Sequence, residues 1–368
     1  MAAALDICIR GAGIVGRTLA LLLAGQRLRV GLVDAAPPSS EPDVRAYALN
    51  AASRQLLDGL RAWPDAAHAT PVLGMEVHGD DGGQVRFEAG TAPALAWIVD
   101  VPALEQRLAE ALRFQPLVTL LTQPEPAALT VVCEGRDSAT RAAYGIAYDV
   151  QPYGQAAIAA RLRCEKPHGH VARQWFAGGE VLALLPMGGA EAPSGGHELA
   201  LVWSVRQDRR DAVLQADVAS FEAQLRAASH EVLGQLTLTG PRSSWPLQVA
   251  TARRWCGPGW VLAGDAAHSV HPLAGQGLNL GLSDARVLAQ VLQDRDYWRG
   301  LGDPKLLRRY ERARRADVLA VGGTTDGLQQ LFAQEHTAVA ALRNWGMRAF
   351  DRSGPLKDWV VRQAAGRL

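Results

Sequence analysis

A glycine pattern near the N-terminus restricts the local fold to a strand, a tight turn and a helix. The pattern Gly11-Ala-Gly13-Ile-Val-Gly16 follows an alternating apolar strand and leads into an apolar helix, after which a second apolar strand closes on Asp34. In this order the glycines allow a tight turn and close approach of a pyrophosphate, and an acid about 20 residues further on suits ribose hydroxyls. The sequence therefore predicts a dinucleotide-binding unit with Gly11, Gly13, Gly16 and Asp34 as ligands, either for FAD or for NAD.

A second constraining stretch lies far downstream, where a short apolar strand ends in Gly264-Asp265 and turns into a helix with apolar spacing through Leu292. A carboxylate at a strand end accepts hydrogen bonds from sugar-like hydroxyls, and unpaired N–H groups at a helix start favour negative charge. Phosphate, ribityl hydroxyls and a flavin ring are ligands that need both a carboxylate acceptor and free backbone N–H donors. The simpler alternative is a strand-helix turn with a carboxylate cap.

The whole run from Gly264 to Asp284 resembles the second FAD signature of the para-hydroxybenzoate hydroxylase superfamily of flavin monooxygenases, and most of all its ubiquinone-biosynthesis hydroxylase branch. The pattern G-D-A-A-H-x-x-H-P-x-x-G-Q-G-x-N-x-G-x-x-D is met at every fixed position. The resemblance implies FAD as cofactor, with Asp265 on the ribityl chain and the Gly-Gln-Gly turn beside the pyrimidine edge of the ring. It extends the expected FAD-binding residues to Arg45, Gly264, Asp265, Pro272, Gly275, Gln276, Gly277 and Asn279.

The resemblance is weaker at several positions. Arg45 resembles the family's arginine on the segment near the flavin, with a surface arginine that caps a helix as the alternative. Glu134 stands where the family's A-D-G-x-x-S-x-x-R element has aspartate, Val101 stands where an amide or arginine touches the flavin, and residues 114–130 are too few for the strands expected there. In relatives this element links FAD binding to reduction by a nicotinamide, so the electron donor is left open between NAD(P)H and another reductant.

The resemblance covers nearly the whole chain and implies an α/β fold, a Rossmann-like FAD-binding domain with an inserted β-sheet substrate domain and C-terminal helices. Short strands with few helical patterns between them indicate that the inserted sheet forms one wall of a pocket. We predict a discontinuous FAD-binding domain, a β-rich substrate domain and a C-terminal helical segment, over residues 1–70, 98–143 and 251–300, residues 71–97 and 144–250, and residues 301–368, respectively.

The implied chemistry is carried by the flavin and O2, through a C4a-hydroperoxide that passes oxygen to an electron-rich ring, so no protein residue is predicted to be catalytic. Candidate pocket residues are Met187, Trp203, His271 and Pro272. Plain core packing is the alternative for Met187 and Trp203. His268 and His271 either form hydrogen bonds near the ring or serve as capping or core residues.

Composition narrows the class of protein further. The chain has 368 residues, enough for two domains, and its net charge of +1 gives no general attraction to nucleic acid. No basic stripe with interleaved aromatic residues is present. The four cysteines are scattered without metal-ligand spacing, which favours a reducing compartment and no metal site. Neither a signal peptide nor an apolar run of roughly 20 residues is present, so the sequence predicts a cytoplasmic protein.

These observations predict an FAD-dependent monooxygenase that hydroxylates an aromatic, polyprenylated phenol intermediate of ubiquinone biosynthesis. The alternatives are an FAD-binding accessory subunit of a quinone-biosynthesis complex that does not turn over, and another FAD-dependent oxidoreductase on the same fold, such as a reductase or halogenase. The C-terminal segment resembles that of the ubiquinone branch and contains an apolar stripe over residues 355–364. This stripe either packs on the FAD domain or docks on a protein partner or, weakly, on a membrane surface.

Overall fold

The computed structural model describes residues 5–34, 42–79, 82–189, 196–270 and 276–333, with side chains described through residue 320. The predicted site residues His271, Pro272 and Gly275 and the apolar stripe at 355–364 lie outside the described residues.

In chain order the strands are β1 (Leu5–Arg10), β2 (Val30–Val33), β3 (Ala46–Leu49), β4 (Ala69–Val72), β5 (Gly74–His78), β6 (Gln84–Glu88), β7 (Ala96–Asp100), β8 (Val118–Leu121), β9 (Ala127–Val132), β10 (Tyr148–Cys164), β11 (Val171–Ala177), β12 (Glu180–Met187), β13 (Glu198–Arg206), β14 (Leu236–Leu238), β15 (Ser243–Ala252), β16 (Cys256–Gly257), β17 (Trp260–Leu262) and β18 (His268–Ser269). The helices are α1 (Ile14–Gly25), α2 (Ala51–Gly59), α3 (Val101–Arg113), α4 (Ala139–Ala143), α5 (Arg210–Gln215), α6 (Val218–Ala228), α7 (Gln276–Gln293) and α8 (Pro304–Ala333). Short 3-10 turns span Ala66–His68 and Gly264–Ala266.

A six-stranded sheet forms the first large layer, in the order β16-β17-β9-β1-β2-β8, with parallel neighbours except at β16. Its central strands are apolar because residues such as Ile7 and Val131 are fully buried in a core shared with α1, α3 and α7. α1 and α7 approach each other closely, since a Cβ on Gly281 would lie 2.7 Å from the side chain of Val15. This packing places the first turns of both helices at the carboxyl edge of the sheet.

A nine-stranded sheet forms the second large layer, in the order β18-β15-β10-β13-β12-β11-β5-β6, with β14 attached to β10. Its longest strand is the 17-residue β10, where the sequence predicts two separate strands. A β-bulge between Pro152 and Gln155 keeps the pairing with β15 continuous. Alternate side chains point to opposite faces, so Trp203 packs with α6 while the neighbouring Ala200 packs on the face toward β4 and β7.

A three-stranded sheet, β3-β7-β4, lies between the two large layers. Strand β3 contacts both cores, because Tyr47 and Leu49 belong with the six-stranded sheet while Ala46 and Ala48 pack in the cluster that contains Met187. The segment that carries Arg45 into β3 is therefore fixed relative to both layers.

The predicted mixed α/β fold is confirmed. The predicted hairpin is formed by β5 and β6, and the strands from β10 to β15 form the predicted separate sheet. Within residues 114–130 the structure contains β8 and β9, joined directly by residues 122–126, so the further strands of the family are missing there. The domain bounds stay a prediction, and β4 and β7 cross them. Among the described helices, none combines the length and apolar character that a membrane crossing requires.

Candidate flavin site

Gly11 and Gly16 are glycines because the protein's own backbone leaves no room for a side chain. Gly11 has a φ of +107°, and a Cβ there would lie 2.4 Å from the carbonyl oxygen of Cys133. A Cβ on Gly16 would lie 2.0 Å from the carbonyl oxygen of Gly11. The start of α1 is therefore held tightly against the end of β1.

Gly13 has a different environment, since a Cβ there would meet no protein atom within 4 Å. It is the N-cap of α1, no side chain caps the free N–H groups, and the first turn contains no acidic residue. Open space in front of an uncapped helix N-terminus suits a phosphate. The residues present thus fit the pyrophosphate of a dinucleotide.

Asp34 follows β2 directly, at the same carboxyl edge of the sheet. Its side chain is 45% exposed, and its carboxylate lies 3.6 Å from Nη2 of Arg17. An exposed ion pair of this length is weak, so the carboxylate remains available to ribose hydroxyls. The structure therefore places Asp34 and the three glycines of the first motif along one edge.

Asp265 sits at the middle of the 3-10 turn that follows β17, with Gly264 at a φ of +62° before it. Its side chain is exposed, yet the surrounding protein desolvates the carboxyl and raises its pKa, an effect that His268 and Arg136 partly offset. An exposed carboxylate accepts strong, charge-assisted hydrogen bonds from hydroxyl donors. This geometry fits the ribityl contact predicted for Asp265.

A fully buried carboxylate, Asp284 of α7, anchors the same turn. Its Oδ2 accepts a hydrogen bond from the Gly264 N–H at 2.8 Å and lies 2.7 Å from Nε2 of His268, while its Oδ1 accepts from Nε of Arg314 at 2.6 Å. Burial raises the pKa of Asp284, but His268 and Arg314 outweigh burial and hold it below its usual value. His268 also stacks on Trp255. His268 is therefore a core residue that orients the turn.

Two side chains that are not among the predicted flavin-site residues hold the carbonyl groups of this turn. The Tyr148 hydroxyl donates to the Asp265 carbonyl oxygen at 2.8 Å, and Nη1 of Arg141 donates to the Ala266 carbonyl oxygen at 3.1 Å. The Arg141 guanidinium carbon lies 3.6 Å from the centre of the Tyr148 ring. Arg141 closes the predicted A-D-G-like element, but no local pattern marks Tyr148, because it lies 117 residues from its partner.

Arg45 lies immediately before β3 and makes a bidentate ion pair with Asp43, the shortest contact being 2.6 Å. A second carboxylate, Glu105 of α3, lies 3.8 Å away. Burial raises the pKa of the adjacent Tyr47, and the Arg45 guanidinium opposes this rise. Arg45 thus lies on the segment before β3, where its carbonyl also accepts from the first N–H of α3, and flavin contact by its exposed guanidinium stays a prediction.

The first turn of α7 contains three predicted FAD residues. Gln276 and Gly277 are partly exposed, and a Cβ on Gly277 would approach only the side chain of Val270, at 4.0 Å. Asn279 is buried, and its amide joins α7 to the segment after β3: Oδ1 accepts from the Asn50 N–H at 3.0 Å, and Nδ2 donates to the Ala48 carbonyl at 2.8 Å. Asn279 therefore joins α7 to the segment after β3, and its contact with FAD stays a prediction.

Comparison with known proteins agrees with this geometry. A family profile described as an FAD binding domain matches residues 122–322 of the chain. The ubiquinone hydroxylase UbiL of Rhodospirillum rubrum is 33% identical over 395 residues, which cover 99% of this chain and 90% of that protein. The chain belongs to the FAD-binding domain family. Its cofactor is FAD, and it is an FAD-dependent monooxygenase of the aromatic hydroxylase type.

Two further proteins match this chain over almost their whole length. The 3-demethoxyubiquinol 3-hydroxylase of Escherichia coli is 31% identical over 393 residues, covering 98% of both chains. The solved structure of p-nitrophenol 4-monooxygenase PnpA from Pseudomonas putida superposes with a TM-score of 0.78 at 17% identity, covering 99% of this chain and 98% of that one. This second similarity shows that the fold is shared.

Glu134, which replaces the aspartate of the FAD-binding domain family, turns its longer side chain inward. Its carboxylate accepts from the Ser138 hydroxyl at 2.7 Å and from the Thr140 N–H and hydroxyl at 2.9 and 2.6 Å, and it pairs with Arg10 at 3.1 Å. Partial burial raises the pKa of Glu134, but these donors bring it below its usual value. Glu134 therefore closes the loop before α4.

Val101 also departs from the FAD-binding domain family. Its side chain is fully buried in the core, and its N–H donates to the Arg45 carbonyl at 3.3 Å. The Val101 side chain therefore packs in the core, and the absence of a flavin contact at this position stays a prediction.

The predicted pocket residues separate onto two faces of the nine-stranded sheet. Met187 lies on the face toward β4 and β7, in a cluster with Ile98 and Ala200. Trp203 lies on the opposite face, 4% exposed, with its ring centre 6.5 Å from that of Phe221 on α6. The Trp203 side chain thus packs in the helix-covered core, as the core-packing alternative predicts, and its contact with a substrate pocket stays a prediction.

Proposed function

We propose that this FAD-dependent hydroxylase acts on a polyprenylated phenol intermediate of ubiquinone biosynthesis, with O2 and NAD(P)H as co-substrates. The observation that carries the proposal is the exposed Asp265 carboxylate on a turn whose backbone is held by Asp284 at the Gly264 N–H and by Tyr148 at the Asp265 carbonyl, in a chain with 33% identity to a ubiquinone hydroxylase along nearly its whole length. FAD, when bound, supplies oxygen transfer from O2. The residues of this chain bind and orient that cofactor.

Each part of the site has a separate task in this proposal. The uncapped start of α1 at Gly13 binds the pyrophosphate, Asp34 binds the adenosine ribose, and Asp265 accepts hydrogen bonds from the ribityl hydroxyls. The face of the nine-stranded sheet that carries Met187 is the proposed wall against the aromatic ring. Its apolar character suits a prenylated substrate because water is excluded where oxygen transfer takes place.

Glu134 and Val101 favour a second candidate, an FAD-binding accessory subunit. Both positions lack the family's ligand-contacting side chain, and Glu134 is held by three donors and Arg10 within its own loop. The two candidates differ in whether FAD binding is needed for quinone synthesis. An accessory subunit acts through its surface, whereas a hydroxylase requires the cofactor.

The test is complementation of a strain that lacks its own ubiquinone hydroxylase, with the parent chain and with Asp265→Ala. Restored quinone synthesis with the parent and none with Asp265→Ala, at equal protein levels, supports hydroxylation. Equal complementation by both chains would show that hydroxylation does not need the Asp265 contact, because an accessory subunit cannot restore synthesis in a strain without a hydroxylase. No complementation by an FAD-loaded parent, together with an accumulated intermediate identical to that of the empty strain, would reject the proposed substrate.

We also propose that the C-terminal segment docks on a protein partner of a quinone-biosynthesis complex. The sequence begins this segment with Pro355 and places apolar residues at helical spacing, namely Leu356, Trp359, Val360 and Ala364. One short stripe with few charges binds lipid weakly, which favours a protein partner over the membrane surface. Truncation before Pro355 is expected to preserve FAD content and melting temperature while quinone synthesis in cells is lost. Loss of flavin in vitro would instead show that the segment stabilises the fold.

A further inference from the structure

The backbone of the Asp265 turn is held at each of its carbonyl groups. The Gly264 carbonyl accepts from the Ala267 N–H at 2.8 Å, the Asp265 carbonyl accepts from Tyr148 at 2.8 Å, and the Ala266 carbonyl accepts from Arg141 at 3.1 Å. Two of these three donors are side chains from outside the turn. The direction of the Asp265 carboxylate therefore depends on residues that do not touch the cofactor themselves.

Tyr148 and Arg141 act as one unit. The Arg141 guanidinium carbon lies 3.6 Å from the centre of the phenol ring. Its Nη2 also donates to the Arg136 carbonyl at 2.6 Å, which fixes the guanidinium to the loop before α4. Arg141 is 7% exposed. A guanidinium that is buried and forms hydrogen bonds from both Nη1 and Nη2 is a rigid support for the ring.

Tyr148 is also the first residue of β10, where it pairs with Ala252 of β15. The phenol therefore reaches from the nine-stranded sheet to the turn that follows the six-stranded sheet. We infer that Tyr148 is a positioning residue that sets the Asp265 carboxylate relative to the nine-stranded sheet, through its hydrogen bond to the Asp265 carbonyl and its stacking on Arg141. This role rests on the proposed contact between Asp265 and FAD.

Tyr148 keeps its phenol proton between pH 6 and pH 9. Burial raises the pKa of Tyr148 to about 12, and the nearby Asp265 carboxylate acts in the same direction. The phenol is therefore a permanent donor to the Asp265 carbonyl. Its contribution to cofactor binding should not change between pH 6 and pH 9.

The experiment is titration of FAD into apoprotein, by flavin fluorescence quenching at pH 6 and pH 9, for the parent, Tyr148→Phe, Tyr144→Phe and Asp265→Ala. Tyr148→Phe keeps the ring over Arg141 and removes one neutral hydrogen bond, so FAD should bind about three- to tenfold more weakly, by the same factor at both pH values. Tyr144→Phe is the matched control, because the Tyr144 ring packs against Trp260, whereas the carbonyl groups of the turn accept from Ala267, Tyr148 and Arg141. It should bind FAD as the parent does.

The FAD affinities of Tyr148→Phe and Asp265→Ala distinguish the role of Tyr148 from the FAD site on which it depends. If Tyr148→Phe binds FAD like the parent while Asp265→Ala binds weakly, the role of Tyr148 is rejected and the FAD site stands. If Asp265→Ala also binds like the parent, the site itself is rejected. If Tyr148→Phe lowers the melting temperature of the apoprotein by as much as it lowers that of the FAD-loaded protein, with unchanged FAD affinity, the tyrosine stabilises the fold alone.

Discussion

Arg314 on α8 and Asp284 on α7 form an ion pair with an Nε to Oδ1 distance of 2.6 Å, and the two side chains are 1% and 0% exposed. Charges that are buried this completely persist only when each has a partner and further hydrogen bonds. Here Asp284 also binds Gly264 and His268, and Arg314 also binds Asp317 and the Leu280 carbonyl. The pair therefore connects α8 to the turn that presents Asp265.

Arg314→Met leaves the buried Asp284 with one fewer counter-charge and should lower the free energy of unfolding by about 3–5 kcal/mol. Urea unfolding followed by tryptophan fluorescence measures this change. Arg312→Met on the exposed side of the same helix is the control, and we expect a change within about 0.5 kcal/mol. Equal stability of the Arg314 and Arg312 variants would contradict a role of the pair in folding.

The pH dependence of stability has a definite sign at Asp284. Its pKa in the folded protein lies below the ordinary value of about 3.9, so its contribution is present above pH 4 and is lost as the pH falls through the depressed value. The free energy of unfolding of the parent should therefore fall more steeply between pH 5 and pH 3 than that of the double variant Asp284→Asn, Arg314→Met. Parallel curves for the two proteins would show that the pKa of Asp284 does not change on folding.

Gly13→Val should remove FAD without unfolding the protein. The added side chain meets no protein atom within 4 Å of its Cβ, but it occupies the space in front of α1 where the pyrophosphate must approach. Gly25→Val is the control, since Gly25 lies at the other end of α1 and is equally open. Flavin absorbance of the purified proteins and their melting temperatures give both readouts. Full flavin content in Gly13→Val would contradict the assignment of Gly13 to the FAD pyrophosphate.

Asp265→Ala removes a charge-assisted acceptor, and FAD affinity should fall by about one to two decades, equivalent to roughly 1.5–3 kcal/mol. Asp294→Ala, at an exposed position after α7, should leave the affinity unchanged. Isothermal titration with FAD measures both variants. Unchanged affinity in Asp265→Ala would mean that the Gly-Asp motif is only a turn.

The same substitution should raise the stability of the FAD-free protein at neutral pH. The pKa of Asp265 is raised on folding, so ionisation favours the unfolded chain once the pH exceeds the ordinary value for aspartate. Asp265→Ala removes this cost, and the melting temperature of the apoprotein at pH 7 should be higher than that of the parent. A lower melting temperature would indicate that the carboxylate stabilises the turn.

The sequence predicted the parts of the site that depend on local chemistry. The glycines of the first turn and the Gly-Asp turn are recognisable because a pyrophosphate and a ribityl chain require particular backbone shapes at fixed spacing. The face of the sheet that carries Trp203 could not be predicted, because the pattern of a strand gives the alternation of its faces without telling what each face packs against. The sequence pattern indicates separate strands at residues 148–150 and 156–163, whereas a bulge lets β10 continue through both.

Other parts of the site were beyond sequence reasoning because the contacting residues are far apart in the chain. Arg314 and Asp284 are separated by 30 residues, and Tyr148 and Asp265 by 117. Only the packing of α8 on α7 and of β10 near the six-stranded sheet brings them together. Glu134 could be seen as a departure from the family, but its inward contacts depend on the fold of the loop before α4.

The contact from α8 through Asp284 to Gly264 makes cofactor binding and helix order thermodynamically reciprocal. If an ordered α8 raises the affinity for FAD, bound FAD stabilises the ordered state of α8 by the same free energy. Amide hydrogens of α8 should therefore exchange with solvent more slowly in the flavin-loaded protein, although the helix need not touch the flavin. A partner that binds this helix would sense whether the enzyme carries its cofactor, which gives an assembly a means to retain loaded subunits over empty ones.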